Sequence, residues 1–270
     1  MSHQDATRAT RRAMIGGLGL AAAAAASGIA PAQAQAARKT FVLVHGAWHG
    51  GWCWRRVADM LEAKGHKVFV PTLTGLGDKS HLLDAKTNLT THITDVVNLI
   101  KWEDLKDIVL VGHSYAGYVI SGVAEQVGAN ISSIVFLDAF LPDNGDSLAA
   151  GASQPVKDAL AAAKGKGEIV LKPVPASVFR VNEKDRAWVD AKCTPQPIAT
   201  MEEDVKVTGA RDKIAKKAYI RAKGYPSVPF DAVQAKLKPN TAWKSYEMTA
   251  GHDAMVDQPK ELTDILIEVA

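Results

Sequence analysis

Residues 108–120 read Ile-Val-Leu-Val-Gly-His-Ser-Tyr-Ala-Gly-Tyr-Val-Ile. The first four are apolar and three of those are β-branched, a short run suited to a strand buried on both faces. Gly112 closes the run, and from Ala116 onward the apolar spacing turns helical, so Ser114 falls at the hinge. A serine on a sharp strand-to-helix turn, flanked by small residues where the two backbones crowd together, is the pattern of a nucleophile elbow. The usual form is Gly-x-Ser-x-Gly; here Ala116 takes the last position and Gly117 follows it. The plainer alternative is a βα turn whose serine caps the helix. The elbow therefore needs a base and an acid elsewhere in the chain.

Outward from this unit, short apolar runs alternate with helical patterns. Strands are expected at Thr40–Val44, 68–70, Ile131–Leu137, 218–222 and 243–248, and helices ending near Ala63 and spanning Leu89–Trp102, 230–237 and 258–269. This alternation predicts an α/β domain with a mostly parallel sheet of about six strands and helices on both faces. From 141 to 211 the pattern changes: Pro142, Pro155, Pro173, Pro175, Pro195 and Pro197 break up short helical stretches and the strand signal vanishes. That segment reads as a small helical cap inserted in the domain spanning 37–270.

Residues 1–36 have the three parts of an export signal. Arg8, Arg11 and Arg12 form a positive region, an Ala- and Gly-rich apolar run follows from Met14, and Ala32-Gln33-Ala34 or Ala34-Gln35-Ala36 offers small-residue cleavage sites. Thr10-Arg11-Arg12 is similar to a bacterial twin-arginine signal, so the expected destination is the periplasm or the medium. The 270-residue chain is 47% hydrophobic and 23% charged, ordinary for a soluble globular protein. Its formal charge of +3 falls to +1 once residues 1–34 are removed, which leaves no electrostatic case for nucleic acid or an anionic membrane as partner. Cys53 and Cys193 match neither a zinc nor a redox spacing, and no metal-ligand cluster is evident.

A serine hydroxyl needs an imidazole to take its proton and a carboxylate to orient that imidazole, in the chain order Ser, acid, His for this fold class. Of eight histidines only His252 follows Ser114, in a loop just past the last expected strand. Asp138 is the acid candidate because it ends the strand next in sequence to the elbow unit; Asp231 and Glu247 are its rivals. The amides of Tyr115 and of Ala47, the latter in the glycine-containing turn after the first strand, are the candidate oxyanion hole. Trp48, Phe140, Leu141, Phe179 and Trp188 are the candidates for lining a substrate pocket, with Val178 and Met201 as further apolar residues of the cap.

The His45–Trp54 stretch HGAWHGGWCW, together with Thr72-Leu73-Thr74-Gly75, GHSYAG from Gly112, LDAFLPD from Leu137 and GHDAM from Gly251, resembles the α/β-hydrolase superfamily. More narrowly it is similar to the branch holding plant methylesterases, hydroxynitrile lyases and bacterial pyrethroid-hydrolase-like carboxylesterases, over residues 39–270 and weakly in the cap. The resemblance implies hydrolysis of small to medium apolar or aryl carboxylic esters through an acyl-enzyme, without a cofactor, in an apolar pocket under the cap. One departure concerns the acid: the plant members carry theirs after the strand corresponding to 218–222, where this chain has Lys223, Gly224 and Tyr225. Asp138 occupies an alternative acid position that some superfamily members use. A cyanohydrin lyase needs a cation beside the histidine, and Asp253 stands where that lysine would be, with a charge that would disfavour cyanide's own. A non-catalytic ligand binder on the same fold would predict a broken set of nucleophile and base positions, and none is broken. The sequence leaves the oligomeric state open.

Overall fold

A computed structural model describes residues 38–270; the expected export signal lies outside the described residues. The described residues open with β1 (Thr40–Val44), α1 (Arg55–Ala63), β2 (Lys67–Phe69), α2 (Leu89–Trp102), β3 (Ile108–His113), α3 (Ala116–Val127) and β4 (Ile131–Leu137). Six short elements follow: α4 (Leu148–Gly151), α5 (Gln154–Gly165), β5 (Val170–Leu171), α6 (Glu183–Lys192), β6 (Gln196–Pro197) and α7 (Ile198–Glu202). The chain then returns to β7 (Lys216–Ala222), α8 (Val228–Leu237), β8 (Lys244–Met248), α9 (Ala254–Asp257) and α10 (Pro259–Glu268).

Among the described residues, six strands form one sheet in the order β2-β1-β3-β4-β7-β8, with every pairing parallel. Parallel neighbours need crossover connections, and those crossovers cover both faces with helices, so the central strands lose their solvent side. Ile108, Val109, Leu110 and Val111 of β3 are accordingly fully buried, whereas edge strands β2 and β8 are mostly half-exposed. Around the sheet α1 packs with α10 and α2 with α3. Helix α2 begins in a reciprocal cap in which Asn88 Oδ1 accepts from the Thr91 amide and the Thr91 hydroxyl accepts from the Asn88 amide.

The segment between β4 and β7 departs from the expectation that it holds no strand. β5 and β6 pair antiparallel, two residues each, too short for any period to register in sequence. β7 also starts earlier than expected because two lysines open it; the Lys217 ammonium folds back onto the carbonyls of Asp212 and Ile214, which lets a charged residue enter a buried strand.

The elbow explains its departure from Gly-x-Ser-x-Gly. Ser114 has φ +54°, in the left-handed region, so the strand turns sharply into α3. A Cβ at Gly112 would come within 2.8 Å of Ile120 Cδ1 and 2.9 Å of the Ala116 carbonyl, and one at Gly117 would overlap the Phe140 carbonyl. The loop after β4 thus crowds the helix at Gly117, and Ala116 is accommodated.

Candidate active site

Three loops at the C-terminal ends of adjacent strands converge, the place where sites of open α/β sheets collect. Trp48 after β1, Ser114 after β3 and Asp138 after β4 have φ of +64°, +54° and +42°, uncommon for residues with a side chain. Backbone of this kind costs of order 1–3 kcal/mol per residue and persists only where the surroundings enforce it.

At Ser114 the hydroxyl lies 2.9 Å from His252 Nε2, and His252 Nδ1 lies 2.6 Å from Asp138 Oδ2. Asp138 is fully buried and His252 is 3% exposed. The other carboxylate oxygen of Asp138 accepts from Arg221 Nη1 at 2.7 Å and from the Ala222 amide at 3.1 Å. The His252 amide donates to the Phe179 carbonyl (2.9 Å), and its carbonyl accepts from His113 Nε2 (3.0 Å). The rings of Tyr225 (4.7 Å between centroids), Phe179 (5.3 Å) and Phe230 (5.5 Å, stacked) enclose the imidazole. Asp231 and Glu247 do not reach it. Asp231 is half-exposed and pairs with Arg221 and Lys223, and Glu247 faces Lys238.

The amides of Ala47 and Tyr115 border the same cavity and have no protein acceptor among the described residues. Each is held from behind by a buried histidine. His92 donates through Nε2 to the Thr74 carbonyl (2.9 Å) and accepts at Nδ1 from the Tyr115 hydroxyl (3.0 Å); burial pushes its pKa down to about 4, so it stays neutral. His49 has both ring nitrogens against acceptors, the Ala47 carbonyl at 2.8 Å and Asp253 Oδ2 at 3.0 Å, which requires an imidazolium facing a carboxylate. Burial works against charge on His49, but Asp253 outweighs it and raises its pKa; burial likewise works against charge on Asp253, but His49 outweighs it and holds that carboxyl low. His45 is neutral, with burial pushing its pKa to about 3; its Nε2 accepts the Leu73 amide. Trp48 is fastened to the insertion at three points: its amide donates to Gln196 Oε1 (2.9 Å), its indole to the Leu171 carbonyl (3.1 Å), and its carbonyl accepts from the Thr194 amide (2.8 Å). The small β5–β6 ribbon therefore bears directly on the turn carrying Ala47.

A cavity of 390 Å³ opens over Ser114 and His252, walled by Trp48, Phe140, Leu148, Phe179, Met201 and Phe230 among others. Among the described residues, its lining contains no Lys, Arg, Asp or Glu. Two expected pocket residues are absent from it. Trp188 packs edge-on against Trp52 (5.0 Å) under the Arg56 guanidinium (5.3 Å), on another surface, and Leu141, one residue beyond Phe140, is partly buried and packs against the edge of the core. Val178 is half-exposed, while its neighbour Phe179 faces the cavity. Asp253 also needs correction: its carboxylate is buried against His49 and is not part of the lining, so it exerts no direct repulsion on an anion in the cavity. Sequence reasoning passed over Arg221, His49 and Tyr225 as parts of the site. An arginine inside the apolar run of β7 was the one available signal, since a charge there demands a buried partner.

The alpha/beta hydrolase family profile matches residues 41–265. The carbendazim hydrolyzing esterase of Nocardioides sp. (strain SG-4G) is 42% identical over 235 residues, covering 84% of this chain and 97% of that protein. Methylesterase 1 of Arabidopsis thaliana is 39% identical over 114 residues, 39% of this chain and 41% of its own length. Among solved structures, an extracellular alpha/beta-hydrolase from a Paenibacillus species superposes with a TM-score of 0.75 at 25% identity, covering 86% of this chain and 99% of that one. With a family match across most of its length and an esterase relative aligned nearly end to end, the chain belongs to the alpha/beta hydrolase family as an esterase-type hydrolase.

Proposed function

We propose that this protein hydrolyses uncharged carboxylic esters with apolar or aryl groups through an acyl-enzyme on Ser114. The observation that carries the reading is the hydrogen-bonded chain Ser114–His252–Asp138 at the floor of an apolar cavity. In the first step His252 Nε2 takes the Ser114 proton as Oγ attacks the ester carbonyl. The tetrahedral oxyanion is received by the Ala47 and Tyr115 amides, which have no protein acceptor to release first. Asp138 stabilises the imidazolium and keeps Nδ1 protonated so that Nε2 faces the serine. The imidazolium then protonates the leaving alcohol, and the same base activates water to release the acid.

Substrate class follows from the lining: with no cation to receive a carboxylate or phosphate, charged esters would lose hydration without a partner. The same absence of a cation argues against cyanohydrin cleavage, a firmer reason than the charge of Asp253. A panel of neutral p-nitrophenyl, methyl and bulky aryl esters, carbendazim, a carboxylate-bearing ester and a cyanohydrin tests this on mature protein. Turnover of the neutral esters with little on the charged one is expected; cyanide release faster than ester hydrolysis would overturn it. We further infer, from residues 1–36, export to the periplasm or medium before the enzyme acts.

A further inference from the structure

Arg221 is 1% exposed, yet each face of its guanidinium has a task. Nη1 donates to Asp138 Oδ1 (2.7 Å) and to the Ala222 carbonyl, Nη2 to the Tyr225 carbonyl (2.7 Å), and Nε to Asp231 Oδ1 (3.0 Å). The side chain thereby joins three things: the acid after β4, the turn after β7 whose Tyr225 lines the cavity, and α8, whose Phe230 stacks on His252. A carboxylate that accepted only from His252 would give its whole charge to the imidazolium. Asp138 instead divides it between His252 on one oxygen and a buried cation on the other.

We propose that Arg221 is a positioning residue that sets the basicity of His252 through Asp138. The assignment rests on the triad reading above. Its guanidinium holds the acid in place at this alternative position and draws charge from the oxygen that His252 does not use, so replacing it changes how strongly Asp138 can support the imidazolium. The other groups facing His252 are accounted for. His113, 4.5 Å away ring to ring, is kept neutral by burial; Tyr225 is uncharged; Asp253, the next residue, is compensated by His49; and Lys223 stands outside Asp231. Among the described residues, Arg221 is thus the cation in direct contact with the acid.

The test is the acid limb of the kcat/KM profile, together with the titration of His252 followed by NMR on protein labelled at histidine with nitrogen-15, which needs no substrate. In Arg221→Met the limb and the NMR titration should both move up by about one unit or more, the order expected when a charge in direct contact is removed. Arg221→Lys keeps charge without the fork, so its limb should stay within a few tenths of the parent while its plateau falls. Asp231→Asn provides an opposite sign on a half-exposed residue whose loss does not threaten folding: it leaves Arg221 less neutralised, and the limb should move down by a few tenths. An unmoved titration in folded Arg221→Met, or an upward shift in Asp231→Asn, overturns the proposal; the second result stands even if Arg221→Met does not fold. If the NMR titrations shift as expected while no ester is turned over, it is the hydrolase reading that fails and not the role of Arg221.

Discussion

The pair His49–Asp253 joins the turn carrying Ala47 to the loop carrying His252, and its loss has a calculable cost. His49→Leu leaves the Asp253 carboxylate buried at 0% exposure with no cation beside it. Breaking a buried pair on one side typically costs about 3–5 kcal/mol, because the remaining charge is stranded. At roughly 2–4 °C per kcal/mol for a domain of this size, the melting temperature should fall by about 6–20 °C. Adding Asp253→Asn to His49→Leu removes the stranded charge and should recover most of that loss. The penalty also depends on pH. Asp253 is held below its unfolded pKa of about 3.9, so its contribution is present above that value and disappears as pH falls toward the folded one. His49 is raised, so its contribution is complete below about 6.5 and is lost as pH climbs through the folded value. The gap between parent and His49→Leu should therefore be widest between about pH 4 and 6.5 and narrow on the alkaline side. Urea denaturation followed by circular dichroism across this range measures it. A cost under about 1 kcal/mol, or a double variant no more stable than the single one, would refute the buried ion pair.

Three further outcomes are expected. Asp138→Asn should lower turnover by at least about 10²-fold on folded protein, with Asp231→Asn and Glu247→Gln costing far less; collapse of either rival with normal Asp138→Asn turnover would reassign the acid. Gly117→Ala should cost about 1–3 kcal/mol or fail to fold, since its Cβ would meet the Phe140 carbonyl, and unchanged stability in denaturant melts would contradict the crowding seen at the elbow. N-terminal sequencing of protein from a periplasmic fraction should begin just after Ala34 or Ala36; an intact Met1 in the cytoplasm would contradict export.

The elements that build the sheet were legible because buried parallel strands are short apolar runs and their crossovers are amphipathic helices. Leu89–Trp102 and Ile131–Leu137 begin and end where their patterns do. Ser114, Asp138 and His252 could be nominated from strand ends and chain order, and the structure brings these three side chains into contact. What escaped was set by contacts distant in sequence. The β5–β6 ribbon takes its place by gripping Trp48, 123 positions from Leu171, and no local period encodes that. Trp188 and Phe179 are both large and apolar, but which of them faces the cavity depends on how the insertion folds back. Asp253 read as a cavity charge because His49, 204 positions away, could not be foreseen as its partner.

The central claim is that Ser114 forms the covalent intermediate. Mature protein treated with an aryl organophosphonate should gain one adduct by intact mass, peptide mapping should place it on Ser114, and ester hydrolysis should vanish in proportion to labelling, with Ser114→Ala neither labelled nor active above the residual level of binding and oxyanion stabilisation alone. Stoichiometric labelling at another residue, or ester turnover by Ser114→Ala near that of the parent, would contradict it.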